Sequence, residues 1–330
     1  MINLAITGAG YISKIHAAAA SSFSDVNLTA VVDRYSKTAQ SFAKDYNLNR
    51  FYQNIDQLLD DGGIDALVIG TPNYLHAPQA IAALNKGVHV MVEKPMAMNA
   101  QEAYQMLEAS QKSGALLMVA HCFRFDPEVR WLKRQSDAGR LGKIIRTKGY
   151  GVHQLSGPSG WFTHKVQAGG GAMADMGIHA IDTTRFLLGD PQPVSVYARI
   201  GTYYSKDDVD DTGILIVNWE GGIVSYIESG WWQPHTDGPQ AATQLYGISG
   251  FGQVFPTYLL DQSGKDDPGF SHPRVDHCPQ SLYNDQMSYF IDCIREHRTP
   301  NPGALEGWIN MKIVDAAYKS SVLGEIIKVE

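Results

Sequence analysis

The sequence predicts a two-domain protein: an α/β Rossmann-type domain with a doubly wound parallel sheet, then an α+β domain with an open, mainly antiparallel sheet. Three observations lead to this. Within the first twenty residues, an apolar run ends in a glycine turn and an alanine-rich helical segment follows. Up to residue 120, apolar strands alternate with helical segments, which is typical of parallel sheets. From residue 143, long stretches alternate polar and apolar residues and are joined by glycine-containing hairpins.

The first domain is predicted to span residues 1–121. Its predicted strands are residues 2–6, 28–33, 66–69, 88–92 and 116–120, and its predicted helices are residues 36–46, 54–59, 78–85 and 99–113. Asn54 is a plausible helix N-cap, and Gly87 and Gly114 are suited to end helices. Ligands of such sheets bind beyond the carboxyl ends of the strands, which directs attention to the loops at 8–13, 71–76 and 93–95.

The second domain is predicted to span residues 122–330. Its predicted strands are residues 143–152, 194–203, 211–219, 222–232 and 241–249, and its predicted helices are 127–136, 172–188, 281–297 and 304–322. Residues 251–276 are rich in Gly, Pro, Asp and Ser and are predicted to be an irregular loop. Helices cover one face of an open sheet, and the other face meets solvent or another subunit. We therefore expect a homodimer or homotetramer formed through this sheet.

Composition excludes several classes of function. The net charge of −7 argues against general affinity for nucleic acid or anionic membranes. We find neither an apolar run long enough to span a bilayer nor an N-terminal signal segment. Cys122, Cys278 and Cys293 lack metal-binding or redox spacing, so we expect reduced thiols, a cytoplasmic protein and no metal.

The glycine turn Gly8-Ala9-Gly10 predicts a dinucleotide site. Gly8 permits a tight turn, and Gly10 lets the backbone approach a pyrophosphate. The next helix, which begins near Tyr11 and Ile12, directs free amides and its positive dipole end toward that phosphate. Ser13 replaces the third glycine of the usual pattern but is small enough for close packing. The alternative is a glycine turn in another α/β fold.

Asp33 and Arg34 bear on the choice of dinucleotide. Asp33 follows the second strand about twenty residues after the glycines, where an acidic residue binds the ribose hydroxyls of NAD. Its charge would repel a 2′-phosphate, whereas Arg34 could pair with the phosphate of NADP. We favour NAD and keep NADP possible; the alternative is that Asp33 is an ordinary strand-end carboxylate.

Lys94 lies in Glu93-Lys94-Pro95, directly after the predicted strand at 88–92. This position places it at a carboxyl end, where the nicotinamide is expected. The following proline restricts Lys94 to an extended backbone, which favours a fixed orientation of its side chain. The alternative is a surface lysine paired with Glu93.

Asp175, His179 and Asp182 lie on one stripe of the helix predicted at 172–188. Asp175 and His179 are four residues apart and thus about 40° apart around the axis. Charge on an otherwise apolar helix needs a reason, because unpaired buried charge is costly. The pair could be a structural hydrogen bond or half of a metal site, although no third ligand is evident. Histidine also has the right pKa for proton transfer near neutrality.

These motifs together resemble the Gfo/Idh/MocA oxidoreductases, the family of glucose–fructose oxidoreductase and inositol dehydrogenase. The resemblance rests on Gly8-Ala-Gly-Tyr-Ile-Ser13, Thr71-Pro-Asn-Tyr-Leu-His76, Glu93-Lys-Pro95 and Gly169-Gly-Gly-x-x-x-Asp175-x-x-x-His179, in that order. It implies an NAD(P)-dependent enzyme that moves a hydride to or from a secondary alcohol of a sugar or cyclitol.

The same resemblance implies roles for individual residues. Lys94, Asp175 and His179 would be catalytic: His179 as general base, Lys94 as donor to the developing alkoxide, and Asp175 holding a neighbouring hydroxyl or orienting the lysine. The residues implied to lie along the cofactor are Thr71, Pro72, Asn73, His76 and Glu93.

Substrate contacts are more open. The candidates are Arg124, Trp161 and His164, and after them Trp231, Trp232 and His235, and each could equally serve packing. Two other functions also stay open: a glycosidase that oxidises its substrate transiently with bound NAD, and a non-catalytic protein that senses NAD.

Overall fold

The computed structural model describes residues 1–236, 241–261 and 278–330 and the backbone of 266–267. The chain forms two compact units, Met1–Cys122 with Cys278–Trp308, and Phe123–His277 with Ile309–Glu330. The domains predicted from the sequence, 1–121 and 122–330, placed residues 278–308 in the second domain. They belong to the first unit because the helix Gln280–Arg295 packs on the first helix of the chain and Gly303 bridges to Met118.

The first unit contains the predicted parallel sheet. In chain order its strands are β1 (Ile2–Thr7), β2 (Val26–Val32), β3 (Arg50–Tyr52), β4 (Ala66–Ile69), β5 (His89–Val92) and β6 (Leu117–Val119). Their spatial order is β3-β2-β1-β4-β5-β6, and each neighbouring pair is parallel. Only β3 was not predicted, since it is three residues long and lacks a buried apolar run. All four residues of β4 are buried, as expected for a central parallel strand.

The helices of the first unit follow the predicted pattern. They are α1 (Tyr11–Ser21), α2 (Ser36–Asp45), α3 (Ile55–Asp61), α4 (His76–Asn85), α5 (Ala100–Ser113) and α9 (Gln280–Arg295). The predicted cap of α3 is confirmed, because Asn54 accepts a hydrogen bond from the amide of Gln57 at 3.0 Å. Gly114 ends α5 with a φ of 73°, the left-handed conformation that favours glycine.

The second unit contains the open sheet. In chain order its strands are β7 (Ile144–Gln154), β8 (Pro193–Gly201), β9 (Thr212–Trp219), β10 (Val224–Gln233), β11 (Ala241–Gly247), β12 (Gly250–Val254), β13 (Tyr258–Asp261), β14 (Asp266–Asp267) and β15 (Ile327–Lys328). Within the described residues the order is β14-β13-β12-β11-β7-β10-β9-β8-β15. Among the described residues the pairs are antiparallel except for β7 and β10, which are parallel, so the prediction of a mainly antiparallel sheet is confirmed.

The prediction of an irregular loop at 251–276 was wrong over its first part. Strands β12 and β13 occupy it and continue the sheet, with Phe251 opposite Tyr246. Gly252 allows the strand to pack closely against Leu132, since a Cβ on Gly252 would lie 2.6 Å from the Leu132 side chain. Residues 262–265 and 268–276 of the predicted loop lie outside the described residues.

The helices of the second unit are α6 (Pro127–Asp137), α7 (Lys165–Ala168), α8 (Ile178–Leu187) and most of α10 (Ala304–Leu323). Of these, α8 packs against β7, β10 and β11, and α6 packs against β12. A π-helical turn, Met173–Gly177, leads directly into α8. Gly149 of β7 lets α8 approach closely, because a Cβ there would be 2.9 Å from Thr184 Oγ1. No helix among the described residues is long and apolar enough to cross a membrane.

Candidate active site

The glycine turn between β1 and α1 fits a dinucleotide phosphate. Gly8 has a φ of 85°, and a Cβ on it would lie 2.6 Å from the carbonyl oxygen of Gly70. A Cβ on Gly10 would meet no described atom within 4 Å, so the backbone is open to a ligand there. Gly10 caps α1 without a side-chain hydrogen bond, which leaves the first amides of α1 for an anion. Buried Ser13 packs against Gly70, which gives the room that a third glycine would provide.

Asp33, at the end of β2, is tied to the glycine turn. Its carboxylate accepts hydrogen bonds from the amides of Ala9, at 3.0 Å, and Tyr35, at 2.9 Å. The guanidinium of exposed Arg34 lies over the Tyr35 ring, 4.6 Å from its centroid. Asp33 therefore keeps a fixed negative charge beside the turn, whereas Arg34 lies on the exposed side of this loop.

His76 connects the two other loops at this edge of the sheet. Its ring is 1% exposed, with Nδ1 2.8 Å from the carbonyl oxygen of Pro95 and Nε2 2.9 Å from that of Thr71. Burial lowers the pKa of this imidazole below its ordinary value. Thr71 also donates to Gln79 at 3.0 Å, and neighbouring Asn73 is buried. His76 thus fixes the Thr71 loop to the loop that carries Lys94.

Glu93, beside Lys94, is held from two sides. Its Oε1 lies 2.7 Å from Nε2 of His16, which is fully buried on α1, and its Oε2 accepts a hydrogen bond from the amide of Lys94 at 3.1 Å. Burial acts to raise the pKa of Glu93, but His16 and the charge of Lys94 outweigh it, so the pKa lies below its usual range. The sequence analysis missed His16, although a histidine on the apolar face of α1 was a possible signal.

In the second unit, a buried carboxylate holds the glycine run before Asp175. Asp210 accepts hydrogen bonds from the amides of Gly171 and Met173, both at 2.8 Å, and from the hydroxyl of Tyr318 at 2.7 Å. A Cβ on Gly171 would overlap the carbonyl of Asp210, so only glycine fits. Burial raises the pKa of Asp210, and burial together with the charge of Asp210 raises that of Tyr318. This network sets where the Asp175–His179 segment begins.

Asp175 lies in the π-helical turn, and His179 lies in the first turn of α8. The indole N–H of Trp231 donates to Oδ2 of Asp175 at 3.1 Å, and Trp231 is 1% exposed. The His179 ring meets the ring of Phe123 edge-on, with centroids 5.2 Å apart. The predicted single helix at 172–188 is thus a π-turn followed by an α-helix, a local irregularity frequent at functional sites.

Arg124 does not occupy the position expected of a substrate contact. Its guanidinium is 2% exposed and forms two hydrogen bonds to Asp182, both at 2.8 Å, and two to Asp190, at 2.9 and 3.0 Å. Asn310 donates to Asp182 as well, at 2.8 Å. Burial alone would lower the pKa of Arg124. The charges of Asp182 and Asp190 outweigh the effect of burial, so the pKa of Arg124 is raised. Asp182 therefore lies on the same stripe of the helix as Asp175 and His179, and its ion pair with Arg124 fixes α8.

The remaining predicted substrate residues are separate features of the second unit. The Trp161 ring stacks on Phe162 with centroids 3.8 Å apart, and His164 is exposed at the start of α7. Trp231 is buried against Asp175, Trp232 is half-buried, and His235 is exposed. Within the part of the chain that the structure describes, no cluster of His, Cys, Asp or Glu side chains is arranged to hold a metal ion.

A small pocket lies beside His179 in the second unit. It is bounded by α8, by β7 and β11, and by two phenylalanine side chains. Its lining residues are Phe123, Tyr150, His179, Ala180, Thr183, Ala241, Ala242, Thr243 and Phe255. His179 is half-buried, and its imidazole borders this pocket. The sequence analysis did not identify this pocket, since its walls come from five distant segments.

The fold and the glycine turn define a dinucleotide-binding α/β protein with a second, open-sheet unit. The chain belongs to the GFO/IDH/MocA oxidoreductase family, as the resemblance had indicated. Residues 2–121 match the oxidoreductase family with an NAD-binding Rossmann fold, and residues 129–251 match the GFO/IDH/MocA C-terminal domain. The protein is therefore an oxidoreductase whose first domain binds NAD or NADP.

Individual relatives match over almost the whole chain. The scyllo-inositol 2-dehydrogenase (NAD(+)) of Bacillus subtilis is 26% identical over 97% of this chain and 94% of that protein. The D-glucoside 3-dehydrogenase of Escherichia coli is 26% identical over 98% and 96%. A levoglucosan dehydrogenase structure in complex with NADH superimposes with a TM-score of 0.90 at 22% identity, covering 100% of this chain and 99% of that one, which shows a shared fold.

Proposed function

We propose that the protein is an NAD(P)-dependent dehydrogenase that oxidises a secondary hydroxyl of a sugar, cyclitol or sugar derivative, or reduces the corresponding ketone. The observation that carries the proposal is the half-buried imidazole of His179 at the edge of a pocket. The similar proteins named as inositol and glucoside dehydrogenases support the substrate class.

His179 is the proposed general base. An unperturbed imidazole titrates near neutrality, so it can take a hydroxyl proton at physiological pH. The edge-on contact with Phe123 restricts the ring, and the Arg124–Asp182 ion pair holds the next turn of its helix. A base held in this way needs little reorganisation when its substrate binds.

Lys94 is the proposed donor to the developing alkoxide, which an ammonium group stabilises electrostatically. His16, through Glu93, and His76, through Pro95, fix the backbone on either side of Lys94. Asp175 holds a neighbouring substrate hydroxyl or orients Lys94. When bound, NAD supplies the hydride acceptor, C4 of its nicotinamide.

The residues proposed to bind the dinucleotide are those of the glycine turn and the adjoining loops. They are Gly8, Gly10, Tyr11, Ile12, Asp33, Arg34, Thr71, Pro72, Asn73, His76, Glu93 and Lys94. NAD is the favoured form, because the charge of Asp33 beside the turn disfavours a 2′-phosphate. Arg34 is exposed and could pair with a 2′-phosphate, so NADP is the second proposed form.

We further propose a cytoplasmic homodimer or homotetramer associated through the outer face of the open sheet. The supporting observation is a group of exposed apolar side chains on neighbouring strands β9 and β10: Ile214, Ile216 and Val224. Such side chains mark association surfaces when they are contiguous.

A coenzyme-reduction screen tests the proposed function. Cyclitols, aldoses and sugar acids are offered with NAD and separately with NADP, and the absorbance of reduced nicotinamide is followed. We expect reduction with at least one secondary alcohol and a higher kcat/KM with NAD. Cleavage of a glycoside with retained coenzyme and no net NADH would instead indicate transient oxidation. Coenzyme binding without any turnover would indicate a sensor.

Trp231→Phe tests whether the indole positions Asp175. The substitution keeps an aromatic ring but removes the donor 3.1 Å from Oδ2, so the carboxylate loses a charge-assisted hydrogen bond. We expect kcat/KM to fall by about tenfold, the equivalent of one such bond. Trp232→Phe is the matched control, since Trp232 packs against the same apolar cluster. Equal effects of the two variants would contradict a positioning role.

A further inference from the structure

One residue accepts hydrogen bonds from three successive amides where the segment that carries Asp175 begins. The Asp210 carboxylate accepts from the amides of Gly171 and Met173, and the Asp210 main-chain carbonyl accepts from the amide of Ala172 at 2.8 Å. The first amides of a helical segment have no partner inside it, so an acceptor from another segment fixes where the helical segment starts. Asp210 is 7% exposed, and hydrogen bonds are stronger in such a low-dielectric interior.

The peptide group between Gly171 and Ala172 connects Asp210 to Asp175. Its N–H donates to the main-chain carbonyl of Asp210, and its own carbonyl oxygen accepts a hydrogen bond from the amide of Asp175 at 3.0 Å. Because a peptide group is planar and rigid, a displacement at the Asp210 end is passed on to the backbone of Asp175.

Tyr318 of α10 holds Asp210 from a distant part of the chain. Its hydroxyl donates to Oδ1 of Asp210 at 2.7 Å and accepts from the amide of Gly171 at 3.2 Å. A Cβ on Gly170 would overlap the Tyr318 hydroxyl. The glycine run of the motif therefore makes room for this tyrosine as well as for Asp210.

The residue after Asp210 supports the side chain of Asp175. The main-chain carbonyl of Asp211 accepts a hydrogen bond from the amide of Trp231 at 2.9 Å, and the indole of Trp231 donates to the Asp175 carboxylate. The dipeptide Asp210-Asp211 thus acts on both the backbone and the carboxylate of Asp175.

We propose that Asp210 and Tyr318 are positioning residues for the dehydrogenase reaction: they act through the backbone of Asp175 and set where its carboxylate meets the substrate. This inference rests on the proposed function and adds to its site two residues that no sequence motif singled out. Their effect on the rate is geometric, since a misplacement of about 1 Å can cost about 10²-fold even when the altered residue is far from the chemistry.

Single-turnover coenzyme reduction tests the proposal. Enzyme in excess of NAD is mixed with a saturating amount of the substrate found in the screen, and the rise in NADH absorbance gives a rate constant and an amplitude. We expect the rate constant to fall by about 10²-fold in Asp210→Asn, which replaces one acceptor oxygen by a donor, and by about tenfold in Tyr318→Phe, which removes one hydrogen bond to a charged group. A purely structural role would lower the amplitude, which counts competent molecules, and leave the rate constant unchanged.

Ser320→Ala is the matched control for Tyr318→Phe. Ser320 is a buried residue of the same helix, and its hydroxyl accepts from the amide of Ala198 at 2.9 Å and donates to the carbonyl of Glu325 at 2.6 Å. Its loss also removes a donor and an acceptor, but away from Asp210. The single-turnover rate constant of Ser320→Ala should equal that of the unmodified protein.

A double-mutant cycle shows whether Asp210 acts through Asp175. In Asp175→Ala, adding Asp210→Asn should have little effect on the rate constant, because the carboxylate that Asp210 positions is already gone, whereas independent effects would multiply. If Asp210→Asn does not fold, Tyr318→Phe takes its place in the cycle.

Multiplied effects in the cycle, or unchanged rate constants in Asp210→Asn and Tyr318→Phe, would overturn the positioning role and leave the dehydrogenase intact. Failure of every sugar and cyclitol to reduce either coenzyme would overturn the proposed function, and the positioning role with it.

Discussion

Replacing His179 by alanine is expected to lower kcat by about 10²–10⁴-fold, the usual contribution of a general base. Coenzyme affinity should be unchanged, because the glycine turn and Asp33 belong to the first unit and His179 to the second. The measurements are steady-state kinetics on the substrate found in the screen and NADH binding by fluorescence.

Chemical rescue separates proton transfer from a structural role for His179. Added imidazole should restore part of the turnover of His179→Ala, since it can enter the vacated space and accept the proton. The rescued rate should follow the concentration of neutral imidazole as the pH is varied. Near-normal turnover in His179→Ala without rescue would remove His179 from the mechanism.

Replacing Arg124 by methionine is expected to destabilise the protein by about 3–5 kcal/mol, the cost of removing one partner of a buried ion pair. Asp182, 2% exposed at its side chain, and Asp190 would then keep their charges without the guanidinium. Denaturant unfolding followed by circular dichroism measures the change.

A nearby ion pair provides the control for Arg124→Met. Lys133 on α6 pairs with Asp137, whose side chain is 59% exposed. Lys133→Met removes the same kind of charge but should cost less than about 1 kcal/mol, since exposed pairs contribute little. If Arg124→Met were as mild as Lys133→Met, the buried network would not stabilise α8. Adding Asp182→Asn to Arg124→Met should recover part of the loss, because it removes an unpaired charge.

Local patterns were sufficient for much of the fold. Period-two and helical patterns located most strands and helices, and Asn54 and Gly114 were recognisable as caps because capping depends on one residue and its chain neighbours. The sequence-based prediction was wrong where a residue's role depends on a contact with a segment distant in the chain. Gly252 was taken as part of a loop, yet it lies in a strand and allows close contact with Leu132. The parallel pairing of β7 with β10, an exception within the predicted mainly antiparallel sheet, also joins segments far apart in sequence.

Arg124 and Trp231 illustrate the same limit at the candidate site. Both residue types are common in sugar-binding pockets, so the sequence admitted each as a substrate contact. The structure instead pairs Arg124 with Asp182, 58 residues away, and Trp231 with Asp175, 56 residues away. Nothing local to Arg124 or Trp231 distinguishes a substrate contact from a partner of another side chain.

By itself the sequence determined the two-domain order, the dinucleotide turn and the family, because those depend on short motifs and on the period of hydrophobic residues. Only the tertiary structure decided which carboxylates hold the Asp175–His179 segment, that His16 and His76 fix the Lys94 loop, and that a pocket lies beside His179. Burial and hydrogen bonding between segments far apart in the chain set these features, and no local pattern encodes them.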